Sequence, residues 1–329
     1  MSRPALLLFH GAPAERALLL RLAAEGPVVT LELDLADRPA DGADEQAQEL
    51  GAREHRRLDL RQEVFERGVA PLMRLGAEGS GDLLWPLAAE AVGLLAAARL
   101  GKELEARALA AALSPARAAR CERAWAALAP DRPRLVSATS TTTPDPELEG
   151  ELWGRRVTAP GLEDLWEEPA LDELFGDAPS PEDASELVEE IDLELEEGVL
   201  AGASGGPQDG PGLVRLLGRV GRRHALGQRL VIDEDEQGAR RRLAVEAPAA
   251  AIVEAAHAAL EAATLSARRR ALKEPLARGY RELLRRGEHH APELRDVEAF
   301  LRSQQRPVSG TVRLKLYRGA ALALGVQPA

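Results

Sequence analysis

The 329-residue chain has a single cysteine, Cys121, which excludes an internal disulfide and fits a reducing compartment. Positive charge is in deficit: 42 Lys and Arg stand against 54 Asp and Glu, leaving a net charge of −12. A polyanion needs clustered positive charge, so no nucleic-acid partner is expected. The arginine clusters "RRRL" (240–243) and "RRR" (268–270) read as solvated faces of an acidic chain. No apolar run is read as reaching the roughly 18 residues of a membrane span, so no membrane partner is expected. "PALLLFHG" is too short for a signal peptide and runs straight into a helix, so the expected location is cytoplasmic. Metal-ligand spacing is missing as well. His289 and His290 are adjacent, cannot share a helix face, and read as a surface loop.

What is present suggests two domains. Residues 5–60 alternate "ALLLF", "AERALLLRLAAEG", "VVTLELDL", "ADEQAQELGA" and "EHRRLDL", a βαβαβ pattern that implies a parallel sheet with helical crossovers. The stretch 82–129, rich in Ala, Leu and Arg, reads as helices packing on that sheet before a strand near "RLVSA". Trp125 is expected to anchor one of these helices in the core. "SATSTTTPDPELEGE" (137–151) breaks every periodicity and marks the domain connection, giving an α/β domain over 1–140 and an α+β domain over 141–329. In the second, "IDLELEEG" reads as a strand, with the acidic run at 182–197 taken as a solvated connection plus an edge strand. "GASGGPQDG" (202–210) reads as a flexible hairpin turn, "PGLVRLLGRVGRRH" as a helix and "RLVIDEDEQG" as strand and turn. "APAAAIVEAAHAALEAATLS" forms a long helix with Pro248 in its first turn, two further helices follow, and "GTVRLKLYRGAALALG" closes as a hairpin.

"ELWGRRVTAPGLEDLWEEP" (151–169), "VEAPAAAIVEAAHAALEAATLS" (245–266), "GTVRLKLYRG" (310–319) and "GRRHALGQRLVIDED" (221–235) resemble the argininosuccinate synthase family, in the same order and at similar spacing. The resemblance is specific in the C-terminal half and weakens toward the N-terminus. It implies an adenine nucleotide alpha hydrolase-like α/β domain followed by an α+β domain that serves synthesis and oligomerisation. It also implies packing roles for Trp153 and Trp166 between domains, ATP and Mg as cofactors, and ligation of citrulline to aspartate through an adenylate. The family's loop S-G-G-x-D-[ST]-S falls on His10, Gly11, Ala12, Pro13, Ala14, Glu15 and Arg16. Its T-G-x-G-N-D-Q-V-R-F-E segment falls on 111–122, with Ala116 and Arg117 at the Asn-Asp pair and Arg120 retained. Positions that hold citrulline fall on Glu147, Arg156, Asp233 and Val245. Around "EGSGDLLWPLAAE" (78–90) the family's substrate tyrosine and Gly-Thr-Ser turn find no counterpart.

Those replacements have physical consequences. A phosphate loop works by glycines that let backbone N–H groups close on the anion at a helix N-terminus. Ala12 adds a Cβ, Pro13 deletes an N–H, and Glu15 puts a carboxylate in the first turn, so that the anion site is filled by the helix's own side chain. Arg16, one residue on, points to another face. The expectation is a homologue that lacks ATP, citrulline and aspartate binding, uses no cofactor, and acts as a binding, scaffold or regulatory protein beside itself or an active paralogue. The alternative is a family enzyme with residual or altered specificity that uses His10, Arg117, Arg120 and Asp233. The two separate on cavity chemistry: a self-neutralised crevice favours the first, convergent unpaired polar groups the second. A dinucleotide reading resting on Gly11 with Glu32 and Asp34 has one glycine and no fingerprint.

Overall fold

Ala5–Leu8, apolar at every position and wholly buried, forms the central strand of a five-stranded parallel sheet. The computed structural model describes residues 2–35, 42–76, 81–128, 134–139, 153–157, 162, 166, 169, 174–176, 178–207, 209–234 and 240–329. The chain runs β1 (Ala5–Leu8), α1 (Pro13–Glu25), β2 (Val28–Asp34), α2 (Ala43–Glu49), β3 (Glu54–Asp59), α3 (Arg61–Val64), a π-helical turn (Phe65–Val69) and α4 (Ala70–Leu75). Then come α5 (Gly81–Glu103), β4 (Ala108–Leu113), α6 (Pro115–Leu128), β5 (Arg134–Thr139), β6 (Arg155–Val157), β7 (Glu189–Glu196) and β8 (Val199–Ala203). The remainder is α7 (Gly210–Arg223), β9 (Gln228–Glu234), β10 (Arg240–Glu246), α8 (Pro248–Thr264), α9 (Ala267–Ala271), α10 (Lys273–Arg285), α11 (Pro292–Gln305), β11 (Gly310–Tyr317) and β12 (Ala320–Pro328). Three helices thus follow α8 where the sequence suggested two.

The chain divides into two compact units, neither continuous in sequence. One comprises 1–64, 87–147 and 282–295; the other comprises 65–86, 148–281 and 296–329.

In the first unit the sheet order is β3-β2-β1-β4-β5, all parallel. The order reverses between β1 and β4, and open α/β sheets bind ligands beyond the strand carboxyl ends at such a point. α1 begins with Pro13, whose missing N–H costs nothing in the first turn. It buries Leu18, Leu19 and Leu22 against Ala5, Leu7 and Phe9. Gly26 ends it, donating its N–H to the Leu22 carbonyl. The stretch expected to be all helix contains β4, "ALAAAL". Alanine is a poor strand former, but this strand lies between β1 and β5, and burial on both faces outweighs propensity. A second correction concerns hydropathy: Leu84–Glu103 is long and apolar enough to span a membrane, with a mean hydropathy of 1.3. It carries Glu90 and Arg99 within its apolar run and Lys102 and Glu103 at its end, and 83% of an 18-residue window of it is buried inside the protein, as a core helix would be.

The second unit holds two antiparallel sheets, β6-β10-β9 and β12-β11-β7-β8. β7 alternates buried Ile191, Leu193 and Leu195 with acidic residues, and Val312, Leu314 and Leu316 of β11 face the same core. β7 is therefore an interior strand, not the expected edge, because β11 returns to pair with it from the far end of the sequence. "GASGGPQDG" is likewise no hairpin turn but the link from β8 into α7, whose N-terminus Asp209 caps by accepting the Gly212 N–H at 2.7 Å. The terminal hairpin turns at Arg318 and Gly319, both at positive φ. Trp153 is buried, whereas Trp166 is 95% exposed and packs into no core.

Candidate functional site

The loop after β1 sits at the switch point, and its own helix fills it. Glu15 Oε2 accepts N–H groups from His10 at 2.7 Å and Ala12 at 3.0 Å, and Glu15 Oε1 lies 3.6 Å from His10 Nδ1. Glu15 is 6% exposed. Pro13 brings no N–H, and Ala14 continues the helix. Arg16 turns back rather than away, its Nε donating to the Gly11 carbonyl at 2.6 Å. Gly11 itself is required by geometry: its φ is +90°, and a Cβ would stand 2.8 Å from Gln46 Oε1 of α2. The turn therefore keeps the glycine its path demands while its two inward N–H groups are bound to an internal carboxylate.

The loop after β4 opens α6, which carries Arg117 and Arg120. Both meet Glu90 of α5: Arg117 Nε donates to Oε2 at 2.6 Å, Arg120 Nε to Oε1 at 2.8 Å and Arg120 Nη2 to Oε2 at 3.1 Å. Glu90 and Arg117 are 5% and 7% exposed. Burial works against the Glu90 charge, but the fields and hydrogen bonds of the two guanidiniums outweigh it and hold its pKa below the ordinary glutamate range. Next to them is a small apolar cavity of about 20 Å³ walled by Leu8, Leu33, Leu113 and Cys121, with room for about one water.

His289, expected on a surface loop, is 8% exposed, and neither ring nitrogen has a hydrogen-bond partner among the described residues. Burial, aided by His290 and Arg120 against the pull of Glu90, lowers its pKa to about 4. The turn that carries it packs on α6: Arg123 Nε donates to the Arg286 carbonyl, and a Cβ on Gly287 would lie 2.7 Å from the Arg120 carbonyl. His290 is half-buried, and burial lowers its pKa too.

The acidic residues at the end of β2 are paired internally as well. Asp34 Oδ2 accepts from Arg57 Nη2 at 2.8 Å, and Glu32 lies 3.4 Å from His55 Nε2 and 3.8 Å from Arg57 Nε. Asp34 Oδ1 is buried without a hydrogen-bond partner among the described residues, while Oδ2 is held by Arg57.

The other sequence-assigned positions are divided between the two units, Ala116 and Glu147 in the first and Arg156, Asp233 and Val245 in the second. Val245 is wholly buried in β10. Arg156 and Asp233 lie on β6 and β9 and Ala116 in α6, with side chains outside the described residues, and Glu147 is outside them altogether. The Ser204–Gly206 turn borders a groove of about 390 Å³ that also presents Asp192 and Glu194, so a phosphate there would meet carboxylates. No group of three or more His, Cys, Asp or Glu able to hold a metal ion occurs among the described residues. Glu90 is the site residue that sequence reasoning missed. Its signal was a lone carboxylate inside the apolar run "LLWPLAAEAVGLLAAARL", a charge that burial obliges to find a cation.

The fold and this crevice define an α/β nucleotide-binding-type domain joined to an α+β domain. Residues 147–328 match the family model of the arginosuccinate synthase C-terminal domain. Among curated relatives, the argininosuccinate synthase of Methanopyrus kandleri is 37% identical over 178 residues, which is 54% of this chain and 44% of the relative. That of Dehalococcoides mccartyi is 33% identical over 178 residues, again 54% and 44%, and that of Desulfitobacterium hafniense 34% over 180 residues, 55% and 45%. These alignments span less than half the length of the relatives. The chain belongs to the argininosuccinate synthase family.

Proposed function

We propose that this family member does not join citrulline to aspartate and serves instead as a non-catalytic binding or regulatory protein, assembling with itself or with an active homologue. The observation that carries the proposal is the Glu15 carboxylate on the His10 and Ala12 N–H groups, where the family's loop would meet phosphate. A phosphate about 4 Å from that carboxylate meets a repulsion of about 1 to 4 kcal/mol, and displacing Glu15 breaks two charge-assisted hydrogen bonds. The Arg117–Glu90–Arg120 group supports the same reading, because the two guanidiniums that could attract an anionic substrate already share one. So does the pairing of Glu32 and Asp34 with His55 and Arg57. The pairing at the loop after β1 favours this reading, whereas Asp34 Oδ1 and Gln46 Oε1, buried without a hydrogen-bond partner among the described residues, are polar atoms that an enzyme of altered specificity would use.

The test is thermal unfolding of the full chain with Mg-ATP, citrulline and aspartate, singly and together. A ligand at about 100 times its Kd stabilises by about 2.7 kcal/mol, a shift of a few degrees for a chain of this size. The expected result is no shift with millimolar Mg-ATP. A clear shift would overturn the proposal and call for an assay of argininosuccinate formation.

A further inference from the structure

The stretch "LSARRRALK" (265–273) holds four cations and no carboxylate, in a chain whose net charge is −12. Most of it is α9, a helix with no buried residue. Ser266 caps α9 by accepting the Arg269 N–H. Arg269 in turn ties it to the end of α11: Nη2 donates to the Gln304 carbonyl at 3.0 Å, and Gln304 Nε2 donates back to the Arg269 carbonyl. That end, "AFLRSQQR" (299–306), again carries cations without an acid. Burial lowers the pKa of Arg74 on α4, and the field of Arg302 adds to it against Glu197 and Glu298, so a further guanidinium adjoins this end. The carboxylates that flank the two stretches in sequence are engaged. Glu261 holds the buried Lys273 at 2.7 Å, Glu274 lies 3.8 Å from Arg278, and Glu298 lies 3.6 Å from Arg302. Arg268, Arg269, Arg270 and Arg306 have no ion pair among the described residues. Arg270 Nε is buried there without a hydrogen-bond partner, a donor the described residues leave unanswered. Leu272, two residues further on, is 56% exposed.

We propose that α9 and the end of α11 form a docking surface for a short acidic segment of a protein partner. Its carboxylates pair with the guanidiniums of Arg268, Arg270 and Arg306, and an apolar residue beside them packs on Leu272. Charge complementarity selects this occupant. A guanidinium presents its donors in a planar fork that matches a carboxylate, and those of this surface lack an internal one. Size selects it too. The chain as a whole is strongly acidic, so a nucleic acid or an anionic bilayer, which extends past the basic surface, meets repulsion there, whereas a short segment stays within it. The exposed leucine points the same way, because it gains by covering an apolar side chain and offers nothing to a phosphate backbone. The inference deepens the partner-binding reading and rests on it, but the two fail separately. A thermal shift with Mg-ATP would overturn that reading and leave the docking result standing, and a failure to dock would leave the nucleotide result intact.

The experiment is fluorescence anisotropy of a labelled short peptide of alternating glutamate and leucine, titrated with the full chain at low and high salt. A peptide of alternating lysine and leucine, a single-stranded DNA and phosphatidylserine vesicles are run beside it. The expected result is saturable binding of the acidic peptide and none of the basic one, weakening as the Debye length falls from about 30 Å at 0.01 M to about 8 Å at 0.15 M salt. The double variant Arg268→Glu, Arg306→Glu raises the Kd by about tenfold or more, and Leu272→Ser raises it without changing its salt dependence. All three residues are exposed, so the variants fold, with unchanged thermal unfolding as the control. Hydrogen exchange on the unaltered chain, which needs no variant, shows added protection at 266–272 when the acidic peptide is bound. No saturable binding at low salt, binding indifferent to the charge reversals, protection confined to other segments, or tighter binding of the DNA or the vesicles than of the peptide overturns the proposal.

Discussion

At the scale of single residues, the crevice is a set of charges that have found partners inside the chain. Glu15→Ala removes the acceptor for two N–H groups at the start of α1, and loss of an N-terminal cap costs about 1 kcal/mol. Urea unfolding at neutral pH measures it as a lower midpoint with an unchanged slope. Glu90→Leu is harsher. It leaves Arg117 and Arg120 buried without their shared carboxylate, and an uncompensated buried charge costs about 3 to 5 kcal/mol. The triple variant Glu90→Leu, Arg117→Met, Arg120→Leu is expected to recover most of that loss by the same assay, because removing every charge also removes the desolvation problem. Glu15 was legible in the sequence because a first-turn carboxylate acts on the backbone beside it. Glu90 was not, because its partners lie 27 and 30 residues away, on a helix whose position depends on the whole sheet.

At the scale of elements, legibility followed the range of the interactions that decide each one. The βαβαβ run, α7, α8 and the terminal hairpin are set by local periodicity and by turn residues such as Gly319, and the sequence showed them. "ALAAAL" was misread because its strand state is imposed by β1 and β5, and the depth of His289 because its turn is held by α6. That turn has a pH signature. Buried neutral with a pKa of about 4, His289 takes up a proton far more readily in the unfolded chain, where its pKa is about 6.5. Its contribution to stability is complete above pH 6.5 and is lost as the pH falls from 6.5 to 4, by about 1.4 kcal/mol per unit. Unfolding free energies at pH 7, 6 and 5 should show this contribution beside that of His257, whose pKa burial also lowers to about 4, and His289→Gln should reduce the slope by about 1.4 kcal/mol per unit. The entry to α8 offers a steric counterpart. Gly227 has a φ of +74°, and a Cβ there would stand 2.3 Å from the Ala247 carbonyl oxygen. Gly227→Ala must move that backbone as well as bear the positive φ, and is expected to cost more than about 2 kcal/mol, read as a drop in thermal midpoint.

At the scale of the molecule, the family match and the folded unit do not share a boundary. The match begins at 147, but the second unit also contains 65–86, a stretch assigned by position to the α/β half. Its role there is physical. Met73, Leu75 and Trp85 are each no more than 1% exposed, Trp85 Nε1 donates to the Gly154 carbonyl at 2.6 Å, and Phe65 is so close to Gly210 that a Cβ at 210 would lie 2.3 Å from its ring. A fragment of residues 148–329 would therefore expose the seats of three large side chains and leave the Gly154 carbonyl without its donor. Losing one large core side chain costs several kcal/mol, so the sum is comparable to the whole stability of a domain. Such a fragment is expected to lack a cooperative thermal transition and to bind hydrophobic dye, whereas the full chain unfolds sharply. A cooperative transition in the fragment would show instead that the α+β unit holds without 65–86, and that the matched region is a fold boundary after all.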